Sequence, residues 1–279
     1  MNGAQWLDAF AAELGRRGVD PETARHVVAE AATHLRESGE HPTQVFGNPS
    51  GYASAVADSL GPPPPPPPGP ARRPGPVRLH ATGISKRYGR RTVLHSADLT
   101  VRAGQIAAIV GANGCGKSTF LRICAGLITP DSGQVQVVGS LGYCPQQGGT
   151  ADFLLADEHF TLFGAGQGIS RRQALTDGRS AVRVLGWDAP SDTLARHLSG
   201  GTRQKLNLAL TTMTQPDVLL LDEPYQGFDR GTYINFWDQL WQLRDAGRAV
   251  VVVTHLLTQL DRVDVVLDLT PAATTRGGR

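Results

Sequence analysis

The residue types best equipped for chemistry are concentrated in Gly111–Thr119, which reads Gly-Ala-Asn-Gly-Cys-Gly-Lys-Ser-Thr. This is the phosphate-binding pattern GxxxxGK[ST], and it follows an apolar run, Ile106–Val110, as a strand–loop–helix unit requires. Gly111, Gly114 and Gly116 let the backbone curl, so that the loop Gly111, Ala112, Asn113, Gly114, Cys115, Gly116 turns its N–H groups toward phosphate oxygens. Lys117 then reaches the β- and γ-phosphates, the Ser118 hydroxyl ligates Mg²⁺, and Thr119 continues into a helix whose N-terminus faces the anion. Phe120, Leu121, Cys124 and Leu127 are expected to face the core from that helix. A second cluster closes Val218–Pro224, where an apolar strand ends in two adjacent carboxylates. Asp222 is placed to hold the Mg²⁺ shell and Glu223 to orient or deprotonate an attacking water. A chance glycine-rich turn and a solvated acidic strand end are the bland alternatives. The order of strand, loop, helix and acidic strand argues against both.

The elements that must position these groups follow from patterning. Downstream of Pro76, short β-branched runs alternate with helical stretches: Val77–Leu79, Val93–Val101, Ile106–Val110, Val135–Val138, Val218–Leu221, Val250–Val253 and Val263–Leu267 read as strands. The fold class is therefore α/β, with a buried sheet. Residues 1–60 instead read as all-helical. Trp6, Phe10 and Leu14 share one helix face. Asp20-Pro-Glu22 starts a second helix, striped by Val27, Val28, Ala31 and Leu35 and stopped by Gly39. Tyr52, Val56 and Leu60 mark a third. Four arginines against eight acids give residues 1–60 a net charge of −4, so the rest of the chain, with the total at +2, carries +6. Between the two lies a proline-rich stretch over residues 61–76, with Pro62–Pro68 unbroken. A polyproline II run of seven residues spans roughly 20 Å, which suits a semi-rigid spacer; the alternative is a ligand for an aromatic-lined groove. His26, His34 and His41 lack accompanying carboxylates or cysteines and read as surface or cap residues.

One further segment carries a family resemblance. Leu198–Lys205, Leu-Ser-Gly-Gly-Thr-Arg-Gln-Lys, resembles the LSGGQ signature of ABC-transporter ATPases, and it lies between the phosphate loop and Asp222-Glu223 in the order found in that family. The resemblance covers residues 77 to about 270 and implies a P-loop NTPase cassette with a RecA-like core, an antiparallel β subdomain and a helical subdomain over about 147–200. It also implies ATP and Mg²⁺ as ligands. Residue by residue, Tyr88 stands at the aromatic that stacks on adenine, Gln146 at the Q-loop glutamine that contacts Mg²⁺ and the coupling region, and Gly227-Phe-Asp229 at the D-loop. His255 matches the switch histidine on the γ-phosphate, and Ser199, Gly200 and Gly201 match the signature residues that meet the nucleotide of an opposing subunit. Tyr88 as a cover for the sheet edge, Gln146 as a turn residue and His255 as a helix-start residue are the bland readings of each taken alone. Two departures stand out: Thr202 replaces the usual glutamine, and the D-loop reads Tyr-Gln-Gly-Phe-Asp. Residues 1–60 resemble HAAS-type helical signalling domains, through the early amphipathic helices and Phe46–Ala53.

The family reading predicts a domain cassette over 77–272 with a tail of 273–279. It predicts a separate transmembrane permease as partner, two cassettes head to tail as a homodimer or a heterodimer, and a place on the inner face of the cell membrane. Exporter-type ATPases are the nearest match in the length of the 147–197 segment. Near-neutral total charge argues against a nucleic-acid partner. Three cysteines, Cys115, Cys124 and Cys144, without CxxC spacing fit a reducing cytoplasm better than disulfides or zinc. Apolar runs such as Ala249–Val253 fall far short of the roughly 18 residues that span a bilayer, and Met1–Phe10 has no basic leader region. Two other classes compete. One is a non-transport ABC ATPase working on nucleic acid or ribosomes, which a single cassette without coiled coil or CxxC disfavours. The other is a regulatory nucleotide switch acting through residues 1–60, whose partner the sequence does not name.

Overall fold

The computed structural model describes residues 2–19, 21–38, 41–60, 75–188, 192–225, 227–228, 230–254 and 263–270. These fall into two compact units, 1–65 with 229–233, and 66–228 with 234–279.

The N-terminal unit is helical: α1 (Gly3–Arg16), α2 (Pro21–Ser38), a single turn α3 (Pro42–Val45) and α4 (Pro49–Leu60). Asn2 caps α1, its side chain accepting from Gln5 N–H while Gln5 reaches back to Asn2 N–H, so two otherwise orphaned donors are satisfied. Trp6, Phe10 and Leu14 are fully buried, four residues apart, and pack with Ala31 of α2 and Ala53 of α4. Phe46 and Tyr52 join the rings of Trp6 and Phe10 at 4.7–5.8 Å between centroids, and Trp6 Nε1 donates to Gly47 O at 2.9 Å. Burying each such ring stabilises by about 1.5–3 kcal/mol, which lets a core this small form. The extra turn α3 was not expected: four residues are too few for periodicity to register. The expected cap at Asp20 and stop at Gly39 lie outside the described residues.

The second unit holds two sheets around one core. β1 (Val77–Tyr88), β2 (Arg91–Arg102) and β4 (Ser132–Val137) form an antiparallel sheet in the order β2-β1-β4. β3 (Ile106–Val110), β5 (Leu141–Cys144), β6 (Val218–Asp222), β7 (Ala249–Val253) and β8 (Val265–Asp268) form a parallel sheet in the order β5-β6-β7-β3-β8. Every residue of β3, β6 and β7 is buried, as expected of parallel strands covered on both faces. Leu79, Ile84, Leu94 and Val101 of the antiparallel sheet share a single core with Ala107, Ile109, Leu220 and Val251 of the parallel sheet. Helix α5 (Lys117–Cys124) contributes Phe120, Leu121, Ile123 and Cys124 to the same core.

A helical layer follows: α6 (Ala156–Gly166), α7 (Arg171–Val184) and α8 (Gly200–Thr212). Their core includes Phe160, Ala174, Val182, Leu206, Ala209, Leu210 and Met213, so the helical packing extends past the expected limit at residue 200. The chain then enters α9 (Arg230–Asp245), which buries Phe236, Trp237, Leu240 and Trp241. Among the described residues no helix is long and apolar enough to cross a membrane.

Three local expectations are corrected. β1 runs to Tyr88, not Leu79, because its polar positions face outward on an antiparallel sheet. β5 was missed: it has four residues, one of them Gly142, where a Cβ would come within 2.8 Å of the Pro216 ring. Leu127 does not face the core. α5 ends at Cys124 and Gly126 turns with φ +73°, which leaves Leu127 62% exposed.

Candidate functional site

The phosphate loop leaves β3 at Val110 and enters α5 at Lys117, with Gly116 as the cap at φ +109°. Only glycine fits there, since a Cβ would lie 2.6 Å from the Val93 carbonyl of β2. The loop therefore closes against the antiparallel sheet. Lys117 is buried, and its Nζ donates to the carbonyls of Gly111 at 2.8 Å and Ala112 at 3.2 Å. The ammonium is thus held at the loop by weak neutral acceptors, which an anionic phosphate would outcompete.

Strand pairing brings the carboxylates to this loop. β6 ends at Asp222, and Ser118 Oγ donates to Asp222 Oδ1 at 3.0 Å across 104 residues of chain. The second carboxylate oxygen, Asp222 Oδ2, is buried and has no hydrogen-bond partner among the described residues. Burial pushes the Asp222 carboxyl up to about 6, with the neighbouring Glu223 adding to the rise, while the Ser118 hydrogen bond, Arg122 and Lys117 oppose it. A buried oxygen without a partner, beside a serine hydroxyl, is a donor set that suits a hard divalent cation such as Mg²⁺.

Glu223 follows in the left-handed region at φ +47°, a conformation costing a non-glycine residue roughly 1–3 kcal/mol. Its Oε2 accepts from Gln146 Nε2 at 2.8 Å. Gln146 lies just beyond β5, which pairs in parallel with β6, so sheet topology alone brings the two side chains together. The phosphate loop, Gln146, Asp222 and Glu223 therefore meet in one place. Tyr88 ends β1 half-exposed, directly across the hairpin from Arg91, whose Nη2 donates to the loop carbonyl of Gly114 at 2.8 Å.

The remaining predicted residues lie elsewhere or beyond the described chain. Ser199 is exposed and caps α8, its Oγ accepting from Thr202 N–H and pairing with the Thr202 hydroxyl at 2.8 Å. Thr202, the departure from glutamine, thus holds the serine in place. Among the described residues, no hydrogen bond or ion pair joins Ser199, Gly200 or Gly201 to the phosphate loop. Gly201 packs flat against the backbone of Gly227, and a Cβ there would overlap the Gly227 carbonyl. Gly201→Ala should therefore displace the 225–228 turn and abolish hydrolysis while the phosphate loop keeps its affinity. Equilibrium binding beside turnover measures both. His255 and Asp229 lie outside the described residues.

Cys144 is fully buried, and burial pushes its thiol, like that of Cys124, up to about 12, so both are unreactive fillers. Four residues were given no individual role by the sequence, although Gln204 lies in the signature segment and Tyr225 opens the D-loop. Gln204 and Asn207 are buried polar side chains of α8: Gln204 Nε2 donates to Pro145 O at 3.5 Å, and Asn207 Nδ2 donates to Gly148 O at 2.6 Å. They tie the Gln146 segment to the helix that begins at Ser199. Their spacing of three, continued by Thr211 four residues on, puts buried polar side chains on one face of α8 and was the available signal. Tyr225 Oη donates to Thr254 Oγ1 and links the turn after Glu223 to the end of β7. Arg91 carried no motif at all.

Residues 94–226 match the ABC transporter family. This stretch of the chain is similar to ABC transporter ATP-binding domains. The chain is 30% identical over 197 residues to the Nod factor export ATP-binding protein I of Ralstonia nicotianae, covering 66% of this chain and 61% of that protein. It is 32% identical over 183 residues to the human phospholipid-transporting ATPase ABCA3, covering 61% of this chain but only 11% of that protein. The match to the Nod factor export protein of Cupriavidus metallidurans spans 65% of it, so the chain covers about three-fifths of these export-protein relatives. Among solved structures, an ATP-binding subunit of an ABC transporter superposes with a TM-score of 0.63 at 23% identity, over 69% of this chain and 86% of that one. An ABC transporter ATP-binding protein from Pyrococcus furiosus superposes at 0.59 and 18% identity, over 69% and 97%. These establish the fold: a P-loop NTPase cassette with an added antiparallel sheet.

Proposed function

We propose that the chain hydrolyses ATP as one of two cassettes that drive a separate transmembrane permease, in the direction of export. The observation that carries this is the meeting of Ser118, Asp222, Glu223 and Gln146 at the mouth of the phosphate loop. Lys117 would exchange the Gly111 and Ala112 carbonyls for phosphate oxygens, and the loop N–H groups would take the rest of the charge. Ser118, Asp222 and Gln146 would hold Mg²⁺. That ion, bound with the nucleotide, neutralises phosphate charge. Glu223 would accept the proton of the attacking water once the Gln146 amide releases it, and Tyr88 would stack on the adenine. His255 is assigned the γ-phosphate contact.

In this reading a single chain would leave the nucleotide open on one side, while Ser199 and Gly200 sit exposed at the N-terminus of the thirteen-residue α8, the positive end of its dipole. A second cassette placed head to tail would bring its own α8 to this open face. Association of this kind on the inner face of the membrane would convert ATP binding and hydrolysis into movement of the permease. The export direction is supported by the names of the relatives 30% identical to this chain. The acidic N-terminal helices, resembling HAAS-type domains, are assigned a docking or regulatory role.

The test combines two substitutions. Glu223→Gln with ATP should elute as a dimer in size-exclusion chromatography, and adding Ser199→Arg should return it to monomer. Losing the Ser199 cap costs α8 about 0.5–2 kcal/mol, so retained ATP binding is the control for folding. Full-rate hydrolysis by a protein that stays monomeric with ATP would refute the paired site.

A further inference from the structure

The β1–β2 hairpin and the phosphate loop are bound to each other by one arginine that no motif marks. β1 ends at Tyr88 and β2 begins at Arg91, and the two are direct cross-strand partners around a turn of Gly89, at φ +58°, and Arg90. Arg91 Nη2 donates to the carbonyl of Gly114 at 2.8 Å. The N–H of the same peptide, that of Cys115, donates to Ala112 O at 3.2 Å. In a trans peptide these two groups point in opposite directions, so the Gly114–Cys115 unit is held from both sides. One of those holds is internal to the loop; the other comes from the hairpin. Farther along β2, the Val93 carbonyl and the Leu94 side chain press on Gly116. The hairpin therefore meets the loop at two points, a backbone contact at Gly116 and a side-chain tether at Gly114. The half-exposed Tyr88 ring stands opposite that tether, and its own strand is anchored by Lys86 to Asp131 at 2.9 Å.

We infer that Arg91 is a positioning residue for the nucleotide: it sets the aromatic ring of Tyr88 at a constant distance from the phosphate loop, so that the base and the triphosphate of one molecule are engaged together. The inference rests on the reading of Tyr88 as the base-stacking side chain. A tether between two half-sites contributes by preorganisation, removing the freedom the hairpin would otherwise lose on binding. It acts only on a ligand long enough to touch both halves. A purine nucleoside triphosphate is such a ligand; inorganic tripolyphosphate, which carries the phosphates alone, is not. An arginine that instead touched phosphate oxygens would favour both ligands alike.

The experiment measures dissociation constants by calorimetry for Mg-ATP and for Mg-tripolyphosphate. The parent protein is compared with Arg91→Ala, Arg91→Lys, Tyr88→Ala and the Arg91→Ala/Tyr88→Ala double variant. Arg91 is exposed and its loss opens no core, so each protein should fold, and thermal melting confirms it. Arg91→Ala should weaken ATP about fivefold, the scale of one ordinary hydrogen bond, and leave tripolyphosphate within twofold. Arg91→Lys, which keeps one donor, should recover most of the loss. The double variant should bind ATP no more weakly than Tyr88→Ala alone, since without the ring there is nothing left to position. Equal weakening of ATP and tripolyphosphate would overturn the inference in favour of a phosphate contact. Unchanged ATP affinity in Arg91→Ala beside a loss in Tyr88→Ala would overturn it with the stacking reading intact. Unchanged affinity in Tyr88→Ala would overturn the stacking reading itself, and the inference with it.

Discussion

Glu223→Gln should bind ATP with near-parental affinity and lose hydrolysis by about 10²- to 10⁴-fold, the range that a positioned general base contributes. Glutamine has the length and shape of glutamate and can still accept the Gln146 amide hydrogen bond now made at 2.8 Å. It also inherits the same left-handed backbone at φ +47°, so the strained turn is not altered. What disappears is the carboxylate that, in the proposed mechanism, takes the proton of the attacking water. Single-turnover hydrolysis with radiolabelled ATP, beside equilibrium binding of the unhydrolysed nucleotide, separates chemistry from affinity. A Glu223→Gln protein that hydrolyses at a rate within threefold of the parent would remove Glu223 from the role of base.

Asp222→Asn should make the nucleotide-free protein more stable while ending its response to Mg-ATP. Asp222 is fully buried, with Oδ1 satisfied by Ser118 and Oδ2 by nothing among the described residues, and burial raises its carboxyl from the usual 3.8 to about 6. The sign follows from proton binding. Between these values the folded protein binds more protons than the unfolded chain, so stability falls as pH rises from about 4 to about 6 and stays lowered above it. The cost at neutral pH is about 2–3 kcal/mol. Asparagine keeps an acceptor for Ser118 and has no charge to desolvate. It should raise the melting temperature without nucleotide by roughly 5 °C at pH 7.5 and remove this group's slope between pH 4 and 6. With Mg-ATP added, the parent should gain stability through ligand linkage and the variant should gain little. Differential scanning fluorimetry across pH, with and without Mg-ATP, reads all of this. A variant that melts below the parent without nucleotide would show that the buried charge is compensated in the apo protein.

How much of this protein was legible from its residues depended on the distance over which each feature is encoded. The phosphate loop was complete in nine consecutive residues, because a strand, a curled glycine loop and a helix start are all local. The α/β class was equally plain, since β3, β6 and β7 are five-residue runs buried on both faces. The three anchors of the N-terminal core, Trp6, Phe10 and Leu14, were visible at a spacing of four. Short or mixed elements were not: β5 and α3 are four residues each, and Leu127 lay beyond a glycine that ended its helix one turn early.

The partnerships needed the tertiary structure. No spacing rule pairs Ser118 with Asp222 across 104 residues, or Gln146 with Glu223 across 77; parallel pairing of β5, β6, β7 and β3 does so by aligning the carboxyl ends of strands far apart in the chain. Nor could composition show that Asp222 keeps one oxygen unpartnered, that Gly201 lies against Gly227, or that Gln204 and Asn207 hold the Gln146 segment. Arg91 is the clearest case. In the sequence it is one of several arginines after Tyr88, and only the hairpin's approach to the loop makes it the donor to Gly114. Local conformation follows from side-chain sterics and periodicity, which a few consecutive residues carry. A hydrogen bond between distant residues depends instead on how strands are ordered in the sheet, and that order is decided only when the whole core packs.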